Sequence, residues 1–344
     1  MVGTIASPSW RGSPVPSLDA GCGSTGPPVE PGDDGGALPG DDVETLPGDG
    51  LGMLPGDHAS LSGDGRRPPA DETPPMNYRH AFHAGNFADC MKHALLVLLL
   101  RALLKKPAPL FVLDTHAGLG HYDLESGASA RTREATDGIM RLLNDTPAPL
   151  EDYVGLVRGL GLYPGSPELI RAMLRSDDRL ACCELHPEDS ITLRRRFRND
   201  PQVAVHQRDA WEALKGLLPP VRKRGLILID PPYEDPSEYT RLAEGMKLAH
   251  ARFPTSVIAA WYPAKRTASV RALLDSVSLR DVVVAELLLR EPTDPTRLNG
   301  CGMLVVNPPY RFEEQARPVM DSLLERLGNR EAGEAATITR LTDE

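Results

Sequence analysis

The sequence predicts an α/β domain built on a doubly wound, mostly parallel sheet of seven strands. From residue 86 onward, short apolar runs alternate with helical patterns, which is expected when helices cover both faces of a parallel sheet. A glycine turn follows the first apolar run directly, and acidic residues follow several of the later runs. Such sheets bind ligands outside the carboxyl ends of their strands, so these turns and acids mark the candidate site.

The predicted elements begin with a helix at about residues 88–104. Strand candidates follow at residues 111–113, 180–184, 203–206, 226–229, 257–261, 282–288 and 303–306. The first two are about 65 residues apart, roughly twice what one crossover helix needs, so an inserted helical subdomain is predicted at about 122–165. The domain is expected to span residues 76–335, with a C-terminal tail at 336–344.

Residues 1–75 differ in composition from the rest of the chain. They contain 13 Pro, 15 Gly and three copies of Leu-Pro-Gly-Asp. A segment with so little apolar surface cannot offset its ordering entropy and is predicted to be disordered. The alternative is a start site assigned too early, because Met76 stands where the composition changes. Both interpretations leave this extension outside the fold.

The net charge of −10 does not exclude a nucleic-acid partner. Residues 1–75 hold 12 acidic side chains and 3 arginines, a charge of −9, which leaves 36 acids and 35 bases, or −1, for the rest. Basic runs at residues 194–198 and 222–224 could form a local basic face, or could be ordinary solvated surface charge.

Several classes of protein are not indicated by the sequence. No apolar run approaches the roughly 20 residues that cross a bilayer, and the N-terminus has no secretory pattern. The five cysteines lack the spacing of a zinc site or a disulfide scaffold. We therefore expect a cytoplasmic protein that neither binds a metal nor crosses a membrane, and a monomer.

Three acidic or glycine positions suggest a pocket for a nucleotide-like cofactor. Gly118 lies in the turn after the first strand, where the backbone can approach a ligand, although such a turn also suits a dinucleotide or is simply tight. Glu184 ends the second strand, where its carboxylate could accept hydrogen bonds from ribose hydroxyls. Asp209 follows the third strand, within reach of an adenine edge. Each signal is weak alone, and their order along the chain strengthens them.

The strongest motif is Asp230-Pro231-Pro232-Tyr233, directly after the apolar fourth strand. The exocyclic amine of adenine is a poor nucleophile, and it gains charge as a methyl group arrives. Asp230 and the Pro231 carbonyl can both accept its N–H bonds and favour that transition state. Tyr233 would stack on the extruded base. The competing interpretation is a Pro-Pro turn that only ends the strand.

A near copy, Asn307-Pro308-Pro309-Tyr310, follows the seventh strand. If that strand runs antiparallel to its neighbours, the copy lies at the edge opposite the cofactor crevice and takes no part in the site. His80 and His83 have no matching second pair of ligands, which argues against a metal. Lys92 and His93 are expected to point from the first helix toward the cofactor.

Seven segments together resemble one known family from about Met76 to the C-terminal region. They are residues 78–86, Lys92-His93, 114–118, 163–167, 184–187, 225–233 and 261–263. These residues resemble the RlmJ family of 23S ribosomal RNA adenine-N6 methyltransferases. The resemblance implies a class I S-adenosylmethionine-dependent methyltransferase fold with a small helical insertion, and methylation of N6 on the adenine usually numbered 2030 in protein-free 23S RNA, without a metal.

Residue roles also follow from this resemblance. It implies that Asp230 is the proton acceptor and that Tyr78 contacts the RNA. The implied S-adenosylmethionine pocket comprises Lys92, His93, His116, Ser166, Glu184, Asp209 and Ala210, and Ala210 stands where the family often has glycine. The extension before Met76 has no counterpart in the family pattern.

Two other functions remain open from the sequence. The same tetrapeptide type serves other planar amines and amides, so a DNA adenine-N6 or a protein glutamine methyltransferase is one alternative. A non-catalytic RNA-binding or assembly factor that retains a cofactor pocket is the other.

Overall fold

A computed structural model describes residues 84–124 and 134–343. Residues 1–75 and Tyr78, His80 and His83 lie outside the described residues, so the predictions made for them stay predictions.

The described helices are α1 (Phe87–Leu104), α2 (Glu134–Asp137), α3 (Ile139–Asn144), α4 (Glu151–Leu160), α5 (Ser166–Met173), α6 (Pro187–Phe197), α7 (Ala210–Gly216), α8 (Glu238–Arg252), α9 (Thr267–Ser276) and α10 (Phe312–Leu327). The strands are β1 (Phe111–Asp114), β2 (His121–Tyr122), β3 (Tyr163–Pro164), β4 (Arg179–Cys183), β5 (Val203–His206), β6 (Gly225–Ile229), β7 (Val257–Pro263), β8 (Val282–Leu288), β9 (Gly300–Val306) and β10 (Ala335–Thr342).

The main sheet has the order β10-β8-β9-β7-β6-β1-β4-β5. Neighbours from β7 through β6, β1 and β4 to β5 pair in parallel, whereas β9 is antiparallel to both β7 and β8. All seven predicted strands are present in this sheet. The fold is thus the predicted doubly wound α/β architecture, and the expected antiparallel direction of the seventh strand is confirmed.

The sheet has an eighth strand that the sequence analysis missed. Residues from 336 onward were expected to form a tail, and this was wrong: β10 pairs antiparallel with β8 along most of its length. Its threonines and Arg340 resemble a solvated segment, but an edge strand packed on one side needs little apolar surface. Ala336 and Ile338 supply that surface by packing on the core.

The helical insertion begins and ends on a small ribbon. Strand β2 pairs antiparallel with β3, so His121 lies opposite Pro164 and Tyr122 opposite Tyr163. Helices α2 to α4 and a 3-10 turn at Ala148–Leu150 lie between these strands, in the region where the helical subdomain is predicted.

Helix α1 is buried along most of its length because it is apolar on all sides. Asn86 caps it by accepting a hydrogen bond from the Asp89 amide at 2.9 Å. Its polar residues Asp89, Lys92 and His93 are also buried, at 1–5% exposure, and buried polar groups need partners. No described helix, α1 included, is long and apolar enough to cross a membrane.

Candidate active site

The acidic residues predicted from the sequence, Glu184, Asp209 and Asp230, lie at one edge of the sheet together with Asp114, which was not predicted as a site residue. Asp114 ends β1, Glu184 directly follows β4, and Asp230 directly follows β6. Asp209 comes three residues after the end of β5. Because these strands are parallel, their carboxyl ends share an edge, and the structure brings the four carboxylates to it.

Asp230 is held by a buried ammonium group. The Lys92 Nζ lies 2.6 Å from Asp230 Oδ2 and 2.9 Å from Asp89 Oδ1. Burial acts to lower the pKa of Lys92, but the two carboxylates outweigh it and raise the pKa well above its usual value. Lys92 therefore stays charged. The Asp230 side chain keeps 17% of its surface exposed, so it can still meet a second molecule.

Asp89 is a residue of the candidate site that the sequence analysis missed. Its carboxylate, 3% exposed, also accepts a hydrogen bond from the Gly85 amide at 3.0 Å. A signal was present: an acid and a lysine three residues apart lie on the same face of a helix that is otherwise apolar. In such a helix the two must be buried together.

His116 links β1 to the start of the Asp230 loop. The Asp230 amide donates a hydrogen bond to His116 Nδ1 at 3.3 Å. The Thr115 hydroxyl lies 2.8 Å from the same nitrogen and 2.9 Å from the Leu228 carbonyl oxygen. Burial lowers the pKa of His116 to about 4, although Asp230 and Asp209 act to raise it. The imidazole is thus neutral near pH 7.

Ser166, a predicted pocket residue, contacts Asp114. Its hydroxyl donates to Asp114 Oδ2 at 2.6 Å, while the buried Oδ1 has no hydrogen-bond partner among the described residues. Burial raises the pKa of Asp114 to about 7, and the Ser166 hydrogen bond acts to lower it. Asp114 was noted as part of the glycine-turn motif, but its own role at the site was missed.

Gly118 and Glu184 form a direct contact at the end of the first turn. The Gly118 amide donates to Glu184 Oε2 at 2.8 Å, and the His186 amide donates to Oε1 at 2.7 Å. Burial raises the pKa of Glu184, and these two amides act to lower it. Gly118 has a φ of +62°, and a Cβ there would lie 2.4 Å from the Tyr122 hydroxyl oxygen. This position therefore requires glycine.

Asp209 caps the helix that follows it. Its Oδ1 accepts hydrogen bonds from the amides of Trp211 at 2.9 Å and Glu212 at 3.0 Å. Ala210, the first residue of α7, is buried. The cap is a structural role that the sequence analysis did not consider, and it fixes where this carboxylate stands at the sheet edge.

Tyr233 is held in an unusual backbone conformation beside other aromatic rings. Its φ is +53°, which is rare for a residue with a bulky side chain. The hydroxyl donates to the Trp261 carbonyl at 2.9 Å, and the ring centroid lies 4.8 Å from that of Tyr239 and 5.8 Å from that of Trp261. Burial raises the pKa of Tyr233 well above its usual value. Pro231, between Asp230 and this ring, is buried.

His93 connects α1 to the insertion. Its Nδ1 lies 3.0 Å from the Tyr163 hydroxyl oxygen, which lies 3.1 Å from that of Tyr153. The two tyrosines were not predicted. They come from β3 and α4. The contacts between the two hydroxyl groups and His93 therefore join the helical subdomain to α1, next to Lys92.

The copy at residues 307–310 lies at the opposite edge, because β9 is antiparallel to β7. The Asn307 amide group donates to the carbonyls of Pro254 at 2.9 Å and Ser256 at 2.7 Å, and Tyr310 is 89% exposed. The prediction that the copy stands apart from the site is confirmed.

No group of three or more His, Cys, Asp or Glu side chains that could hold a metal occurs in the described part of the chain.

Comparison with known proteins gives consistent matches. The model of a family described as "Ribosomal RNA large subunit methyltransferase D, RlmJ" matches residues 107–339. The chain is 39% identical over 263 residues to the ribosomal RNA large subunit methyltransferase J of Escherichia coli, with 73% of this chain and 94% of the relative covered. It is 37% identical over 264 residues to the protein of that name from Haemophilus influenzae, with the same coverage.

One solved structure supports the fold over the same region. Protein LPL1258 from Legionella pneumophila is 34% identical, with a TM-score of 0.69, and the match covers 75% of this chain and 98% of that one. The segment that these relatives share with the chain is thus nearly the whole length of each relative.

Proposed function

We propose a function from one premise: this chain belongs to the RlmJ family of ribosomal RNA large subunit methyltransferases. Membership of this family implies S-adenosylmethionine as the methyl donor. We propose that the acceptor is the N6 amine of an adenine in 23S ribosomal RNA, the one numbered 2030 by family resemblance. We further propose that a cytoplasmic monomer acts on protein-free or early-assembly RNA.

One observation carries the adenine assignment: the Asp230 carboxylate at the carboxyl edge of β6, bound on one oxygen by Lys92 and partly exposed. Because the Lys92 ammonium binds Oδ2 and the side chain is partly exposed, Asp230 can accept an N–H bond from an amine that gains positive charge. Pro231 and Pro232 limit the freedom of the loop, and we expect the Tyr233 ring to stack on the base.

The residues present fit the proposed cofactor. The buried Asp114 Oδ1 has no hydrogen-bond partner in the described structure, which leaves a polar atom available to contact a bound ligand. Glu184 accepts two amide hydrogen bonds and retains lone pairs for the ribose hydroxyls. When bound, the cofactor supplies an electrophilic methyl group. Lys92, His93, His116, Gly118, Ser166, Glu184, Asp209 and Ala210 are the proposed pocket, with Asp230 at its acceptor end.

The proposal predicts that the Asp230→Asn variant loses transfer of labelled methyl to unmodified 23S RNA by about 10²-fold or more while its cofactor affinity, measured by calorimetry, changes little. The matched control is Asn307→Ala in the copy, which should leave the transfer rate unchanged. Full activity of Asp230→Asn would contradict the proposed role.

Substrate choice is tested by competition. Unmodified 23S RNA, adenine-containing DNA and a glutamine-bearing protein are offered together, and mass mapping locates the methyl group. Transfer to N6 of one adenine in the RNA is expected. Preferred transfer to DNA or to a glutamine amide would replace the proposed acceptor, and binding of RNA without transfer to any of the three would indicate a non-catalytic factor.

A further inference from the structure

Asp89 lies in the first turn of α1, beside the ammonium group that binds Asp230. Its Oδ1 lies 2.9 Å from Lys92 Nζ, and its Oδ2 accepts a hydrogen bond from the Gly85 amide at 3.0 Å. Its own amide donates to Asn86 Oδ1 at 2.9 Å. Each carboxylate oxygen therefore has a donor, and the side chain is fixed in a place that leaves 3% of it exposed.

The residues that hold Asp89 are attached to the helical insertion. The Gly85 carbonyl accepts a hydrogen bond from the Ile139 amide at 2.8 Å, at the start of α3. The Asn86 side-chain amide donates to Glu134 Oε2 at 2.9 Å, at the start of α2. The position of Asp89 is thus determined by α1 and the insertion, and it does not depend on the loop that carries Asp230.

Lys92 needs a second contact to place its ammonium group. The lysine side chain is a flexible four-carbon stem, so a single carboxylate would not determine where Nζ stands. Asp89, three residues earlier on the same face of α1, supplies that second contact. With Nζ also 2.6 Å from Asp230 Oδ2, the ammonium is fixed between α1 and the loop after β6. It occupies one defined oxygen of Asp230 and leaves Oδ1 to a substrate amine.

The two carboxylates and the ammonium have a formal charge of −1 together. Burial lowers the pKa of His116 to about 4 and raises that of Asp114 to about 7, so neither adds a positive charge near pH 7. Burial also raises the pKa of every thiol and phenol on which Asp89 acts in the same direction, namely Cys90, Tyr122, Tyr153, Tyr163 and Cys301. Without Asp89 the formal charge would be zero, and Lys92 would neutralise Asp230 alone.

We propose that Asp89 is a positioning residue for methyl transfer, an inference that rests on the proposed function. It holds the Lys92 ammonium in place and shares its charge, so that Asp230 can accept an amine that gains positive charge. Negative charge that is fixed before the reaction stabilises such a transition state. Because Asp89 acts through Lys92, its loss should slow the transfer step and leave the binding of RNA and cofactor largely unchanged.

The test compares Asp89→Asn with Asp178→Asn in the full chain. Asp178 is a matched control, since its side chain is 0% exposed, pairs with Arg175 three residues earlier at 2.9 Å and accepts from the Leu110 amide at 2.7 Å. It directly precedes β4, at the sheet edge opposite the site. Single-turnover transfer of labelled methyl to unmodified 23S RNA is measured at saturating RNA and cofactor. Unfolding curves define a temperature at which every variant is folded, and calorimetry gives both affinities.

Asp89→Asn should lower the single-turnover rate by about 10–100-fold, as expected for the loss of one fixed charge near the reacting group. Asp178→Asn should keep the wild-type rate although it also loses a buried ion pair. Asp89→Glu, which keeps the charge, should retain more of the rate than Asp89→Asn. The affinities for RNA and cofactor should stay close to wild type in all three variants.

The Lys92→Met background separates positioning from a structural effect. It contains no ammonium for Asp89 to hold, so adding Asp89→Asn should not lower the rate further. A purely structural role would lower the rate by the same factor in both backgrounds.

Three results would overturn the inference: a wild-type rate in Asp89→Asn, an equal loss of rate in Asp178→Asn, or an equal effect of Asp89→Asn with and without Lys92. Each of these leaves the proposed function intact if the wild type methylates the RNA. A wild-type chain that transfers no methyl group to RNA would instead overturn the proposed function, and this inference with it.

Discussion

Replacing Lys92 with methionine should destabilise the protein strongly, because it removes the ammonium that two carboxylates share. Asp230 keeps 17% of its surface exposed and can be solvated, whereas Asp89 is 3% exposed and cannot. Breaking a buried ion pair by removing one partner costs about 3–5 kcal/mol, and we expect the lower end, about 3 kcal/mol, because Gly85 still donates to Asp89. For a domain of this size that corresponds to a fall in Tm of about 6–12 °C.

The assay is chemical unfolding of Lys92→Met at pH 7 and at pH 5. Without the ammonium, burial should raise the pKa of Asp89 in the folded state above its unfolded value. The loss of stability is then fully present above the folded pKa of Asp89 and shrinks as the pH falls toward its unfolded pKa. The variant should therefore lose less stability at pH 5 than at pH 7.

The matched controls are Lys105→Met, at an exposed position after the same helix, and the double variant Lys92→Met with Asp89→Asn. The first should change stability by less than about 0.5 kcal/mol. The second should recover most of the lost stability at pH 7, since the amide carries no charge. Wild-type stability of Lys92→Met at pH 7, or no recovery in the double variant, would refute the reasoning.

Three further predictions concern the same edge of the sheet. Gly118→Ala should weaken cofactor binding and lower stability by about 1–3 kcal/mol, because the residue has a φ of +62° and its Cβ would meet the Tyr122 hydroxyl. Adding Tyr122→Phe to the same chain should recover part of the cofactor affinity, measured by calorimetry, and part of the stability, measured by unfolding. Asp114→Asn should flatten the dependence of stability on pH. With a folded pKa of about 7, ionised Asp114 destabilises the wild-type fold increasingly as the pH rises from 4 to 7. Unfolding of both proteins at pH 5 and pH 8 measures the difference. Tyr233→Ala should lower kcat/KM for RNA by about 10–100-fold through lost stacking. Tyr233→Phe should lose only the hydrogen bond to the Trp261 carbonyl. Equal kinetics for the two variants would contradict the stacking role.

The pocket acids could be placed from the sequence because strand direction is a strong constraint. Glu184 and Asp230 each directly follow an apolar run, and parallel strands carry such positions to one edge. Asp114 ends such a run too, but it was not recognised as a site residue. The strand candidates were readable for the same reason: strands buried on both faces are continuous apolar runs. Strand β10 was not readable because it lies at the sheet edge, where Thr337, Thr339 and Arg340 face solvent.

Side-chain partnerships were the harder part to predict. The sequence indicated that Lys92 faces the site, but not that it would bind Asp230, 138 residues away in the chain. The contact of Ser166 with Asp114 and that of His93 with Tyr163 likewise join distant segments. Such pairs depend on how helices cross the sheet, which local patterns do not encode. Asp89 is different, since its spacing to Lys92 on an apolar helix was visible from the start.

The two related tetrapeptides show that sheet direction, rather than the motif, determines chemistry. The two turns differ in backbone conformation, because the positive φ falls at the last residue of the first tetrapeptide, Tyr233, and at the first residue of the second, Asn307. Strand β6 ends beside α1, and its Asp230 meets the Lys92 ammonium. Strand β9 runs the other way, so the Asn307 Nδ2 donates to the carbonyls of Pro254 and Ser256 at the opposite edge of the sheet. Among the described residues, only the tetrapeptide after β6 meets a buried ammonium, so the proposed methyl transfer is expected there and not at residues 307–310.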